Sequence, residues 1–188
     1  MFRRWGVINN IEKILYHETT ILSRLDAMAA EITQEYRGKK LTVVAILHGG
    51  LIMLADLLRR IQLPLKMESI SVASYHGGTE SSGVITFNQT RLPDFAGEHV
   101  LIVDDILDSG RTLNAIGKRL TAECHAESVK TCVLLSKRKE RAAEVEADYV
   151  GFEIADEFVV GYGLDYAGHY RNLPFVGILK QEAVQSLS

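Results

Sequence analysis

The chain has 188 residues, of which 47% are hydrophobic and 24% charged, with a formal net charge of −3. This length suits one domain with a sizeable core, and the ordinary apolar fraction excludes a disordered chain. Two cysteines are too few for a disulfide framework, so a reducing cytoplasm is expected. No stretch reaches ~20 uninterrupted apolar residues, which argues against a membrane span, and the acidic excess argues against nucleic acid as a partner.

Hydrophobic periodicity predicts alternating helices and strands. Apolar residues recur every three or four positions over 19–38, which predicts a helix that ends at a left-handed Gly38. The β-branched run 41–47 predicts a strand, and a glycine turn at 48–50 leads into a helical pattern over 51–61. The same order continues in three further predicted strands and one helix, at 67–75, 99–105, 129–135 and 110–123. Apolar strands separated by helices predict an α/β fold with a Rossmann-like, twisted, mostly parallel sheet.

Two segments depart from this alternation. The glycine-, serine- and threonine-rich stretch over about 75–98 is long for a simple connection, which predicts a mobile lid loop. The run 137–148 mixes charges of both signs and predicts mostly a solvated helical face. Because there is no convincing linker, residues 1–188 are predicted to form a single domain.

Three aspartates follow an apolar strand in the segment VLIVDDILDSGRTLNAI (100–116). Asp104 and Asp105 end the strand, and Asp108 follows. The next helix then opens with a polar run, Ser109, Gly110, Arg111 and Thr112. Ligands bind at the carboxyl ends of strands in such sheets, and the free N–H groups of a helix start attract phosphate. Adjacent carboxylates suit the two hydroxyls of a ribose, so the segment predicts a ribose-phosphate site.

Helix capping is the alternative explanation for this segment. Asp108 or Ser109 could act as the N-cap of the helix that follows. Three aspartates within five positions favour the ligand site, because unpaired carboxylates at a strand end are costly without a ligand or a cation.

The segment 100–112 resembles the phosphoribosyl-pyrophosphate motif of the type I phosphoribosyltransferases. The C-terminal part, 150–179, is similar to the purine-binding end of the hypoxanthine-guanine members, and LLSKR (134–138) matches the segment that carries their purine-reading lysine. With LHGG (47–50) and ASY (73–75), the resemblance covers most of the chain from about residue 20. It implies a purine salvage enzyme that converts hypoxanthine or guanine and phosphoribosyl pyrophosphate to IMP or GMP and pyrophosphate. It also implies a small hood over the base site, built from the N-terminal and C-terminal segments, and a homodimer or homotetramer.

The resemblance implies a role for each residue of the ribose-phosphate segment. Asp108 would handle the proton near N7 of the purine, as the catalytic residue. Asp104 and Asp105 would contact the ribose hydroxyls, directly or through Mg²⁺. The backbone amides over 108–112 would hold the 5′-phosphate.

The base would be read by three residues that the same resemblance identifies. Lys137 would donate to the exocyclic O6, which favours hypoxanthine or guanine over adenine. Phe158 would stack on the purine, and the backbone of Val159 would read its edge. Taken without the motif, the lysine is more typical of a charged surface and Phe158 of a core.

Pyrophosphate and magnesium complete the implied site. His48 and Gly49 would form the pyrophosphate loop, with a cis peptide between them, and Arg171 would meet the same group. Asp165 would hold a second Mg²⁺, a cation that usually combines few carboxylates with substrate phosphates. The lid would contribute two substrate-binding residues, Ser74 and Tyr75.

Two positions depart from the better-known members of the family. His48 stands where they carry lysine or arginine, so the charge of this loop would depend on pH. Glu80 stands where a basic residue is common, which puts charge contacts from the lid in doubt but not the exclusion of water.

Other functions remain open from the sequence. The same fold could prefer xanthine, which differs at C2, or adenine, which Lys137 disfavours. A regulator that senses nucleotides and binds RNA would need a basic face, which the net charge of −3 does not supply. Another doubly wound nucleotide binder would be expected to carry a GxGxxG or GxxxxGK[ST] loop, which this sequence lacks.

Overall fold

The computed structural model describes residues 6–74, 85–87 and 93–186. A 3₁₀ helix precedes an alternation of strands and helices. In chain order the elements are the 3₁₀ helix Gly6–Asn10, β1 Ile11–Tyr16, α1 Glu18–Glu35, β2 Leu41–Leu47, α2 Gly50–Leu58, β3 Leu65–Ser74, β4 Ile85–Phe87, β5 His99–Leu107, α3 Arg111–Glu123, β6 Ser128–Lys137, β7 Tyr149–Ile154, β8 Val159–Val160, β9 Val176–Leu179 and α4 Gln181–Ser186. The predicted helices and strands of the α/β alternation are present, and Gly38 is left-handed as predicted, with φ of 77°.

Within the described residues the main sheet has six strands, in the order β4-β3-β2-β5-β6-β7. Five of them, β3, β2, β5, β6 and β7, are parallel to one another, and β4 runs antiparallel to β3. The chain builds outward from β2 to β3 and then returns to add β5 on the other side of β2. This reversal is the topological switch point, where ligands bind in open α/β sheets. Since Ala45 pairs with Val103, the loop after β2 and the aspartates of β5 lie at the same edge.

Helices cover both faces of this sheet. On one face α1 and α2 pack on Val43, Ala45 and other side chains of the central strands. On the opposite face α3 packs on Val44 and Ile102. The strands β2 and β5 are therefore apolar at almost every position, because both of their faces are buried.

A second, antiparallel sheet joins the two ends of the described chain. Its order is β1-β9-β8, and it has a small core of its own. These strands come from the N-terminal and C-terminal segments that the resemblance assigns to the hood. Within the part of the chain that the structure describes, no helix is long and apolar enough to span a membrane.

Two predictions about connecting segments need correction. The run 138–148 contains no helix. The Arg141 guanidinium donates to the carbonyl of Val145 and to Ser136 Oγ, which folds the run back on itself. The predicted lid is also too long, because Phe95 is only 2% exposed and its N–H donates to the carbonyl of Cys124. Residues 93–98 therefore belong to the packed body, while 75–84 and 88–92 lie outside the described residues.

Candidate active site

Two adjacent carboxylates lie at the carboxyl end of β5. Asp104 is only 8% exposed, and its Oδ1 accepts a hydrogen bond of 3.0 Å from the N–H of Asp105. Burial raises the pKa of both carboxyls, and the neighbouring charge of Asp105 raises that of Asp104 further. The positive charge of Arg171 acts in the opposite direction on the pKa of Asp105. The fold thus places two carboxyl groups side by side at the largely buried end of β5, which calls for hydroxyl donors or a cation.

The phosphate loop follows directly and leads into α3. Gly110 occupies the N-cap position with φ of 77°, a left-handed conformation that favours glycine. A Cβ at this position would meet the carbonyl of Ala143 at 3.1 Å, so the backbone is packed closely from below. Gly110 has no side-chain acceptor, so the N-cap residue itself makes no side-chain hydrogen bond to the helix. Asp108 and Ser109 precede the N-cap, and Ser109 Oγ accepts only a long hydrogen bond, 3.4 Å, from the Arg111 N–H. The structure contradicts the capping alternative, and the helix start remains suited to an anion.

A cleft of about 200 Å³ opens above this loop. The predicted ribose-phosphate residues line it except Arg111, which is exposed outside the cleft. The lining residues are Asp104, Asp105, Ile106, Leu107, Asp108, Ser109, Gly110, Thr112 and Leu113. The segment that the sequence singled out therefore forms one concave surface.

The loop after β2 is wedged between the carboxylates and the C-terminal segment. A Cβ on Gly49 would overlap the carboxyl group of Asp105, and a Cβ on Gly163 would overlap the carbonyl oxygen of Gly49. His48 itself is exposed. The cis peptide lies between Leu47 and His48, one bond earlier than the resemblance implies. A side chain at either glycine would collide with its neighbour, so the backbone of the predicted pyrophosphate loop lies directly against the Asp105 carboxyl group.

Four charged side chains form a closed cluster beside the phosphate loop. The ammonium of Lys137, a residue only 8% exposed, lies 2.9 Å from Asp156 Oδ1 and 3.2 Å from Asp108 Oδ2. The ammonium of Lys139 lies 2.5 Å from Asp108 Oδ1 and 3.3 Å from Asp156. The two lysines lower the pKa of the Asp156 carboxyl. The structure thus brings the predicted base-reading lysine and the predicted catalytic aspartate into direct contact.

The C-terminal segment supplies the remaining predicted residues. Phe158 is 51% exposed and meets Tyr166 edge to face at 5.3 Å, so it is not a core residue. Val159 is buried in β8, where it pairs with β9. Arg171 lies 2.7 Å from Asp165 and donates to the carbonyl of Gly163 at 2.7 Å. Through Gly163, this arginine is connected to the loop after β2.

Sequence reasoning identified two of the four members of the cluster, Asp108 and Lys137, and missed Lys139 and Asp156. The spacing of Lys137 and Lys139 was the available signal, because residues two apart point to the same side of an extended chain. The mixed charges of 137–148 predict a helix instead, in which these two side chains would diverge. Ser74 ends β3, while its side chain and Tyr75 lie outside the described residues, so their roles stay predictions.

No group of three or more histidines, cysteines, aspartates or glutamates is placed to hold a metal ion among the described residues. The donors that are present still suit Mg²⁺, because this ion is commonly held by one or two carboxylates together with substrate phosphates. A divalent cation near Asp104 and Asp105 would also relieve the repulsion that their burial creates. The donor set therefore fits the cation that the sequence predicts.

Comparison with known proteins identifies the protein family to which the chain belongs. Residues 12–167 match the model of the phosphoribosyl transferase domain. This match agrees with the α/β fold, the strand-end carboxylates and the phosphate loop.

Individual relatives then narrow the class. The chain is 45% identical over 174 residues to a hypoxanthine-guanine phosphoribosyltransferase from Streptococcus pneumoniae, covering 93% of this chain and 96% of that one. It is 41% identical to the enzyme of the same name from Staphylococcus aureus, covering 93% and 97% of the two chains. A crystal structure of a hypoxanthine phosphoribosyltransferase from Staphylococcus aureus superimposes with a TM-score of 0.91 at 40% identity, covering 97% and 98%. The chain belongs to the hypoxanthine-guanine phosphoribosyltransferase family, which confirms the predicted fold class and the predicted transferase.

Proposed function

We propose that the chain transfers the 5-phosphoribosyl group of phosphoribosyl pyrophosphate to N9 of hypoxanthine or guanine, releasing pyrophosphate. The observation that carries this proposal is the contact of 3.2 Å between the Lys137 ammonium and the Asp108 carboxylate. A 6-oxopurine presents O6 and N7 on one edge, so a donor beside an acceptor matches that edge. Adenine carries an amine at C6, which a lysine ammonium does not complement.

The ribose and its phosphates would occupy the cleft along β5 and the start of α3. Asp104 and Asp105 would accept hydrogen bonds from the two ribose hydroxyls. The backbone N–H groups at the start of α3 would hold the 5′-phosphate, where the helix dipole favours negative charge. Pyrophosphate would lie against Gly49 and Arg171, at the other end of the carboxylate pair.

The transfer breaks one bond at C1 of the ribose and forms another. The bond from C1 to the pyrophosphate oxygen breaks, and its electron pair leaves with pyrophosphate. The lone pair of N9 forms the new bond to C1. The proton on N7 passes to the Asp108 carboxylate, which acts as a general base within hydrogen-bond reach of the purine edge. Phe158 would hold the base by stacking on its face, since it is exposed beside Tyr166.

Magnesium belongs to the proposal because the donor set fits it. Asp104 and Asp105 would hold one ion beside the ribose hydroxyls, and Asp165 would hold a second. When bound, Mg²⁺ neutralises charge that develops on the leaving pyrophosphate. Arg171 contributes positive charge at the same place from the chain itself. A cytoplasmic enzyme that forms a homodimer or homotetramer stays a prediction of the sequence.

One assay separates the candidate activities. The protein is incubated with phosphoribosyl pyrophosphate and Mg²⁺, with hypoxanthine, guanine, xanthine and adenine offered separately, and nucleotide formation is followed. We expect turnover with hypoxanthine or guanine and little with adenine. Xanthine as the best substrate would support the alternative base preference. No turnover with any 6-oxopurine would refute the salvage function and revive a nucleotide-sensing role.

A further inference from the structure

Lys139 contacts the proposed catalytic aspartate more closely than the base-reading lysine does. Its ammonium lies 2.5 Å from Asp108 Oδ1, whereas Lys137 lies 3.2 Å from Asp108 Oδ2. The two ammonium groups thus lie beside different oxygens of one carboxylate, as ion-pair contacts rather than aligned hydrogen bonds. Both also contact Asp156, at 3.3 Å and 2.9 Å, so the four groups alternate in sign around a closed ring.

The local backbone brings the two ammonium groups to one side. β6 ends at Lys137, and the N–H of Lys139 donates to the carbonyl of Lys137 at 3.2 Å, which closes a three-residue turn. In the helix expected from the sequence, side chains two positions apart would diverge by about 200°, because each residue turns by about 100°. The irregular structure of this run is therefore what places Lys139 on Asp108.

We propose that Lys139 is a positioning residue for the base step, which fixes the carboxylate plane of Asp108 by holding Oδ1. With Oδ1 held, Oδ2 stays beside the Lys137 ammonium, where N7 and O6 of a 6-oxopurine would meet the two groups together. This inference rests on the proposed function, in which Asp108 receives the N7 proton.

The charge balance of the cluster explains why a second lysine is needed. Without Lys139, two carboxylates would share the single ammonium of Lys137. That ammonium would be drawn toward both carboxylates and away from the base, and Asp108 would keep an ion-pair contact at Oδ2 alone. The contact with Asp108 raises the pKa of Lys139, which agrees with a lysine that stays charged in this position. Its side chain is 30% exposed, so substitution leaves the core intact.

The test compares Lys139→Gln with Lys139→Arg in steady-state kinetics with hypoxanthine and phosphoribosyl pyrophosphate. For Lys139→Gln we expect kcat/KM for hypoxanthine to fall roughly 10-fold, a typical cost of misplacing a reacting group. The KM for phosphoribosyl pyrophosphate should change less than about twofold. Lys139→Arg should recover most of the loss in kcat/KM, since arginine restores a positive charge beside Asp108 Oδ1. Lys118→Gln is the matched control, because Lys118 is exposed on α3 and is not part of this cluster.

A second comparison asks whether Lys139 acts through Asp108. In an Asp108→Asn background, Lys139→Gln should cause less than about a twofold further loss, because coupled residues are not additive. An unchanged kcat/KM for hypoxanthine in Lys139→Gln, or a full additional loss in the Asp108→Asn background, would overturn the proposal. Failure of the proposed function is distinct, since it would appear as a wild-type protein without turnover on any 6-oxopurine.

Discussion

Replacing Asp104 by asparagine should stabilise the protein at neutral pH while it weakens catalysis. Asparagine keeps the acceptor that receives the Asp105 N–H, now at 3.0 Å, and removes one of two like charges from a buried position. Its amide can also donate to the Asp105 carboxylate. Relief of a buried, poorly compensated charge is worth about 1–2 kcal/mol. In a domain of this size, that difference raises Tm by about 2–8 °C.

The pH dependence of this effect follows from the direction of the pKa shift. Burial raises the pKa of Asp104 in the folded protein above the value of the unfolded chain. The native state therefore binds more protons than the unfolded state between the two pKa values, and stability falls as pH rises through that window. Asp104→Asn removes this loss. The variant should match the wild type at the acidic end of that window, where Asp104 is still protonated, and should gain stability progressively as pH rises through the window.

Thermal unfolding of both proteins between pH 4 and pH 8 measures the effect, with Glu12→Gln as the control because Glu12 is an exposed carboxylate. Turnover with phosphoribosyl pyrophosphate should fall in Asp104→Asn, since a ribose hydroxyl loses its charged acceptor. A variant less stable than the wild type at pH 8, or one whose gain is the same at every pH, would refute the argument that burial of the charge is costly.

Three further substitutions and one depletion test the site by steady-state kinetics. Asp108→Asn should lower kcat by ~10²-fold with a modest change in KM, the usual scale of acid–base assistance, and unchanged turnover would remove its role as base. Gly49→Ala should raise the KM for phosphoribosyl pyrophosphate about 10-fold or more, because its Cβ overlaps the Asp105 carboxyl; a normal KM would show that the loop yields freely. Lys137→Gln should raise the KM for hypoxanthine about 10-fold or more, since a charged donor to O6 is lost, and an effect confined to phosphoribosyl pyrophosphate would contradict the assignment. Chelation of Mg²⁺ should abolish turnover and its return should restore it, whereas activity in excess chelator would exclude the proposed cation.

The regular elements were predictable where burial on both faces leaves a continuous apolar run. The run 41–47, bounded by charged residues and a glycine turn, coincides with β2 from Leu41 to Leu47. The conformation of the run 137–148 could not be predicted in this way, because its charges carry no fixed periodicity. Its conformation is set by tertiary contacts, such as the Ala143 N–H on the carbonyl of Ser109, which no local pattern reveals.

The candidate site also has a part that could be predicted from the sequence and a part that could not. Its ribose-phosphate part is contiguous in sequence, so three aspartates and a polar helix start could be assigned to one surface from their order alone. The contacts that complete it join distant positions: Gly49 meets Gly163, and Lys139 meets Asp108. Resemblance to a family identified several of these positions, but the close approach of two backbones and the second lysine depend on packing between segments.

The distribution of charge explains how a chain of net charge −3 can bind a substrate that carries several phosphates. The negative groups of the site, Asp104 and Asp105, are buried at the strand end, where they face hydroxyls and a cation rather than phosphate. The positive groups and the helix start lie to either side, with Arg171 next to the loop after β2. The carboxylates thus face hydroxyl donors and a cation, while the positive groups face the phosphates. Binding is therefore decided by where each charged residue lies and not by the net charge of the chain. The cost of burying two carboxylates together is then offset when ribose and Mg²⁺ enter, so the empty site is less stable than the occupied one and substrate binding should raise Tm.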